Sequence, residues 1–253
     1  RGDDIAKYEV YERYNAERGF KTQYWEYGVQ DLSMQNPFWI MNRERFENNK
    51  NRYIFSASLR YNCIKGLSFT GRMRMDNAED TYERKLPAST DLLFASDKGN
   101  YLHQKTEYRN LYGDIIATWD HKWKDFGVNV NLGASYSSTQ KKVHGYEGHL
   151  QTVPNLFIYE NIVKGGADTH VIQDGYKECN QAVFGTLQLS YKSGLFLDIT
   201  GRNDWYSSLA FTDHEKSGFF YPSIGLSTVL TEFWDLSKAK ISFLKLRASY
   251  SAV

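Results

Sequence analysis

The sequence predicts an all-β fold, an antiparallel sheet of the transmembrane β-barrel kind, and three observations carry that prediction. The first is strict alternation. Phe126–Tyr136 reads FGVNVNLGASY, with Phe126, Val128, Val130, Leu132, Ala134 and Tyr136 at every second position and Gly127, Asn129, Asn131, Gly133 and Ser135 between them. Successive side chains of a strand point to opposite faces, so this strand has one oily face and one small, polar face. The second is a rhythm in the connections, in which short Gly-containing turns alternate with long loops. The third is the placing of aromatic residues at both ends of the alternating segments.

The elements follow in chain order. A less regular strand is expected over Lys21–Val29 (KTQYWEYGV). Arg52–Asn62 (RYIFSASLRYN) puts Tyr53, Phe55, Ala57, Leu59 and Tyr61 on one face and Ser56, Ser58, Arg60 and Asn62 on the other. Leu67–Asp76 sets Leu67, Phe69, Met73 and Met75 against Ser68, Thr70, Arg72, Arg74 and Asp76. Leu111–Trp123 sets Leu111, Ile115, Ala117, Trp119 and Trp123 against Asp114, Thr118, Asp120 and Lys122, with Ile116 breaking the polar face. Val183–Tyr191, Leu195–Asn203, Phe219–Leu230 and Ser242–Tyr250 complete about nine strands, and no segment has a convincing helical period.

Short connections are read at Cys63–Gly66, Lys124–Asp125 and Lys192–Gly194. Long ones are read at 30–51, 77–101, 143–175 and 207–218. Long loops at every second connection have no reason in a sandwich. They are the rule in an outer-membrane barrel, with short periplasmic turns and long outer loops. Tyr61, Phe69, Trp119, Trp123, Phe126 and Tyr191 flank the short turns, and Tyr136, Trp205, Tyr206, Phe219, Phe220 and Tyr221 sit toward the long loops. Aromatic side chains with a polar tip favour the headgroup level of a membrane. The competing reading is a sandwich core of ordinary strand aromatics.

Composition agrees. Among 253 residues, aromatics reach 16% with 19 Tyr, while Pro is only 4, which suits long strands. The formal charge of +1, from 31 basic and 30 acidic side chains, gives no field to attract nucleic acid. No apolar run of about 18 residues exists, so no transmembrane helix is expected. A mean hydropathy of −0.59 looks soluble, but a barrel strand is only half apolar. The N-terminal RGDDIAKYEVYERYN is no signal peptide, so the chain is expected either to stay in the cytoplasm or to be mature, processed or partial.

Three stretches go further: Asn36–Arg43 (NPFWIMNR), Val153–Phe157 (VPNLF), and Leu195–Trp205 (LFLDITGRNDW) followed by Phe219–Ser227 (FFYPSIGLS) and Ile241–Tyr250 (ISFLKLRASY). In this order and spacing they resemble the SusC/RagA family of TonB-dependent outer-membrane transporters of Bacteroidetes. The resemblance runs from about Asn36 to the last residue, and the first 35 residues carry no motif. It implies that residues 1–253 are part of one receptor barrel of 22 strands. The plug and N-terminal domains would be absent from this chain, and its first and last strands would pair with other polypeptide. It also implies import of a nutrient, a glycan or a peptide, delivered by a SusD-like surface lipoprotein and driven through TonB, with lipid and lipopolysaccharide around the wall and the long loops extracellular. No cofactor and no enzymatic step is implied. A passive porin is the other membrane alternative, and a soluble carbohydrate-binding β-sandwich the alternative from another class.

Candidate substrate contacts are the loop aromatics Phe38, Trp39, Tyr146 and Tyr206, together with His149, which could stack on sugar rings or peptide side chains. Set against this, NPFW and VPNLF can serve to fix loop shape, and Arg202–Asn203–Asp204 reads as a structural hydrogen-bond cluster. His144 and His149 lack a third ligand, and Asp76, Glu79 and Asp80 lack the spacing of a calcium loop, so no metal site is expected. No GxSxG, HExxH, P-loop or GxGxxG motif is present. Cys63 at a periplasmic turn and Cys179 near the outer end should stand about 30 Å apart, too far for a disulfide.

Overall fold

The computed structural model describes residues 4–25, 35–234 and 240–252. Ten strands are present among them: β1 (Glu12–Asn15), β2 (Phe20–Gln23), β3 (Arg45–Ile64), β4 (Leu67–Pro87), β5 (Gly99–Trp123), β6 (Phe126–His149), β7 (His170–Tyr191), β8 (Leu195–Tyr206), β9 (Phe219–Val229) and β10 (Lys245–Ser251). β1 and β2 form a small antiparallel pair. The other eight form one sheet in the order β10-β9-β8-β7-β6-β5-β4-β3, so each strand neighbours the next in sequence.

The register shows why this meander holds. Between β7 and β8, Leu187 lies opposite Ile199, Leu189 opposite Leu197, and Tyr191 opposite Leu195. Between β8 and β9, Leu197 meets Leu226 and Ile199 meets Ile224, and between β9 and β10 Ala248 meets Leu226 and Tyr250 meets Ile224. Apolar faces apolar across four strands. The intervening rows pair Gln188 with Asp198 and Thr186 with Thr200. A slip of one residue would mix the two faces, so the pattern itself fixes the register.

The apolar face is uncovered among the described residues. Leu132 is 61% exposed, Phe55, Leu59, Ile115, Val183 and Leu246 are likewise exposed, and Val128 and Val130 are half-buried only by their neighbours in the sheet. No second sheet packs on it among the described residues, which removes the sandwich.

The short turns are tight. Gly66 has φ +86, and a Cβ there would come within 2.3 Å of the Asp120 carbonyl oxygen, while its own carbonyl accepts from the Asp120 N–H at 2.7 Å. Only glycine satisfies both the backbone angle and the contact. Lys124, Lys192 and Ser193 also take positive φ at the next two turns. Beside them His121 lies between Trp119 and Trp123, with centroids at 5.9 and 4.3 Å, and Phe126 meets Tyr191 at 4.8 Å.

Several expectations are corrected. A short helix, α1 (Pro37–Arg43), occupies the NPFWIMNR motif where no helix was expected. Its start is local chemistry: the Asn36 side chain accepts from the Phe38 N–H at 2.9 Å, and Pro37 needs no hydrogen-bond acceptor. The strand expected over Lys21–Val29 is β2, ending at Gln23, and Glu26–Val29 lie outside the described residues. β3 through β7 run well into the stretches read as loops: β4 reaches Pro87, β5 begins at Gly99 and β7 at His170. Those extensions have polar residues on both faces, so periodicity cannot reveal them. Glu79 and Asp80 therefore sit on a strand and not in a loop. The connection between β9 and β10, on the side of the short turns, is long and includes a 3-10 turn at Leu230–Glu232, so the rhythm of the connections is not strict. Cys63 lies within β3 and Cys179 within β7, and both are free thiols.

By internal contacts the chain divides into two compact units. One comprises residues 1–52, 78–108 and 141–176, and the other residues 53–77, 109–140 and 177–253. The second holds nearly all of the alternating sequence. The first holds α1, β1, β2 and the long connections between β4 and β5 and between β6 and β7.

Candidate functional site

In the second unit the polar face is knitted into pairs. Arg72 on β4 forks onto Asp114 of β5, Nε to Oδ1 at 2.9 Å and a terminal nitrogen to Oδ2 at 2.8 Å, and the Tyr112 hydroxyl donates to the same carboxylate at 2.6 Å. The Asp114 side chain is fully buried beneath that fork. Thr118 donates to Asn131 at 2.7 Å, and the Asn131 amide donates to Asn129 and to Thr186 at 2.7 and 2.9 Å. Arg202 Nε donates to both oxygens of Asp204, at 2.8 and 3.0 Å, and Tyr206 donates to Asp204 at 3.2 Å. This is the structural cluster expected of Arg202–Asp204. Gly133 leaves a slot for a ring, because a Cβ there would lie 2.4 Å from the Phe184 ring. The face is wettable, and its main charges are matched in place.

In the first unit the loops are held by asparagines and aromatic rings. Asn36 is fully buried; its amide donates to the Tyr8 and Tyr24 carbonyls at 3.1 and 3.0 Å, and its N–H donates to Gln23 at 2.6 Å. Gln23 in turn binds Ser89, whose φ is +85. In VPNLF, Asn155 takes φ +62, accepts from the Ala88 N–H at 2.7 Å and donates to Lys98. Asn161, 6% exposed, accepts from the N–H groups of Thr152 and Val153 and donates to the carbonyls of Val153 and Leu156. Tyr101, Leu150 and Ile162 form a buried cluster, with Tyr146 and Phe157 packed against it. Glu83 receives hydrogen bonds from Lys85, Tyr101 and His103. Burial pushes the Glu83 carboxyl up, but these donors outweigh it and leave it at about 2, while burial and the adjacent Glu83 charge push the Tyr101 phenol well up.

The loop candidates do not converge. Phe38 is half-buried on α1. Trp39 is 1% exposed and its indole N–H reaches the Thr90 hydroxyl at 3.4 Å, so it is taken up in packing. Tyr146 stacks with His103 at 5.4 Å and meets Tyr101 and Tyr159 at 5.8 and 4.8 Å. His149 accepts the Ser96 N–H on Nδ1 at 3.0 Å and points Nε2 at Asp168, 3.3 Å away. Tyr206 belongs to the other unit and packs near Phe219. Glu79 pairs with Lys105 and Asp80 with Lys50. No three His, Cys, Asp or Glu side chains among the described residues gather as a metal site would require.

Sequence reasoning missed a cleft of about 450 Å³ in the first unit, lined by Phe20, Trp39 and Phe157 and by the cations Lys21, Arg43, Arg45 and Lys85. The one signal for it was the Arg43-Glu44-Arg45 step three residues after NPFW, which sets cations near a buried tryptophan.

Neither a protein-family model nor a curated protein matches the chain. Solved structures do. The RagAB peptide transporter aligns over 90% of this chain and 25% of its own, with a TM-score of 0.76 at 15% identity. This chain shares its fold with a stretch of a RagAB chain. The RagAB peptide importer in its "open-open" and "closed-closed" states aligns with the same coverage, at TM-scores of 0.70 and 0.71 and identities of 16% and 15%. The chain thus spans about a quarter of the length of the RagAB chains it matches. The motif resemblance and the likeness to RagAB lead to the same barrel-wall fold.

Proposed function

We propose that the chain forms part of the wall and outer loops of a TonB-dependent outer-membrane importer of the SusC/RagA kind. A complete importer of that kind also has the remaining barrel strands and a plug, and a SusD-like lipoprotein delivers the nutrient. One observation carries this reading: the sheet is apolar on its uncovered face and charge-paired on the other, with Leu187, Ile199, Ile224 and Tyr250 in one row and Arg72–Asp114 and Arg202–Asp204 on the opposite side. In water the uncovered face would cost about 25 cal/mol per Å² of apolar area, whereas acyl chains cover it at no such cost. Among the described residues β3 and β10 are the edges of the sheet, and because unpaired backbone groups cannot stand in lipid, both edges call for further strands.

The roles of the two units follow. About 9–11 residues of tilted strand cross the hydrocarbon layer. The alternating stretch of β6, Phe126–Tyr136, has that length, and the extensions beyond it stand in water on the outer side. Peptide is the favoured cargo, since the similar structures are of a peptide importer. The test is fractionation with uptake. The chain should sediment with outer membranes, need detergent for release, and support peptide uptake that stops when TonB is deleted. Release in plain buffer would overturn the membrane reading, and uptake that persists without TonB would favour a passive porin.

A further inference from the structure

The cleft beside α1 has one kind of charge on its walls. Lys21, Arg43, Arg45 and Lys85 line it with Phe20, Trp39 and Phe157, and no carboxylate does. Three of these cations have carboxylate partners. Lys21 and Arg43 share Glu12, and Lys85 bridges Glu47 and Glu83 at 2.8 and 2.9 Å. Arg45 is different. It is exposed, and among the described residues its side chain makes no hydrogen bond or ion pair. A planar guanidinium with its donors free matches the two oxygens of a carboxylate.

The polar lining also discriminates by hydrogen-bond type. The Asn155 side-chain oxygen already accepts the Ala88 N–H, while the Asn42 amide nitrogen is held by the Phe38 carbonyl and leaves the Asn42 oxygen as an acceptor. With four cationic heads in the lining, donors still outnumber acceptors. Sugar hydroxyls need acceptors as well as donors and an open ring face to stack on, and the Trp39 ring is buried. A peptide presents carbonyls and carboxylates, which are acceptors only. The cleft is within the roughly 300–1,000 Å³ range of sites that take small ligands.

Resting on the reading of the chain as part of a peptide importer, we infer that this cleft is a subsite for the carboxylate of an acidic peptide cargo, held by Arg45, with Lys21 and Arg43, two cations on one carboxylate, adding positive charge beside it. The complete transporter assembly, purified in detergent, would be titrated with a blocked hexapeptide carrying two glutamates and with its glutamine twin, for the native protein and for Arg45→Gln and Arg45→Glu. The native assembly should prefer the glutamate peptide by about tenfold, the yield of one charge-assisted pair. Arg45→Gln should bring that ratio to about one and Arg45→Glu should invert it. Because Arg45 has no partner, neither change removes a contact that holds the fold. Equal binding of the two peptides by native protein, or a preference that survives Arg45→Gln, overturns the subsite while leaving peptide transport intact. Binding of neither peptide overturns both. Arg45-dependent binding of an oligouronate in their place overturns the choice of a peptide.

Discussion

Replacing Leu132 by arginine separates a sheet that faces lipid from one that faces water. Leu132 stands on the uncovered apolar face, 61% exposed, six residues along β6 from Phe126. At about 3.4 Å per residue and a tilt of about 45°, that places it about 14 Å above the turn, near the middle of a hydrocarbon layer of about 30 Å. An arginine at that depth on the lipid face should destabilise the barrel by about 2–4 kcal/mol. Ser135 lies on the opposite face of the same strand, and Ser135→Arg should cost less than about 1 kcal/mol. Tyr136, ten residues along and so near the outer interface, should give a Tyr136→Arg cost of about 1 kcal/mol or less from charge. Reversible urea unfolding of the complete transporter in phospholipid vesicles measures all three. A solvent-facing leucine would tolerate arginine freely. A Leu132→Arg cost within about 0.5 kcal/mol of the Ser135→Arg cost would therefore refute the assignment of this face to lipid.

Three further outcomes test the loops and the ends of the strands. Asn161→Ala removes two donated and two accepted hydrogen bonds from a buried turn, and should weaken the 150–169 connection by about 2–4 kcal/mol, read as faster proteolysis and hydrogen exchange confined to that segment. Glu83 is held at about 2 in the folded state against a usual value near 4.5, so its contribution is complete above pH 4.5 and fades as pH falls toward 2. With screening by solvent this is about 1–2 kcal/mol, and Glu83→Gln should remove that part of the acid dependence of outer-loop unfolding. Cys63 and Cys179 should each be alkylated in denatured, unreduced protein, and a mass spectrum joining their two peptides by a disulfide would contradict the fold.

Legibility followed solvent. In β6 and β8 the two faces meet different surroundings, so the residue types alternate, and both the strands and their in-or-out sense could be read from Phe126–Tyr136 and Leu195–Asn203. The halves of β4, β5 and β7 nearest the long connections carry residues such as Glu79, Asp80, Lys105 and Asp174, which are polar whichever way they point, and the same reasoning ended those strands early. The α1 helix escaped because two turns give too few residues for a period, although Asn36-Pro37 is a helix-start signal. At the candidate site, the aromatic residues were visible and their roles were not. Trp39 and Tyr146 look alike in sequence as loop aromatics, yet one is buried against Thr90 and the other stacks on His103.

The sequence by itself determined the strands nearest the short turns, their two-sidedness, the turns with their glycine, and the absence of a spanning helix. These are local: a period of two and a positive φ need only a few neighbouring residues to be written. Only the tertiary structure decided that no second sheet among the described residues covers the apolar side, that Asp114 is buried under Arg72, and that Lys21, Arg45, Lys85 and Phe157 line one cleft. Those residues lie far apart along the chain. Nothing in their local pattern records the meeting, because it is set by strand pairing and loop packing elsewhere.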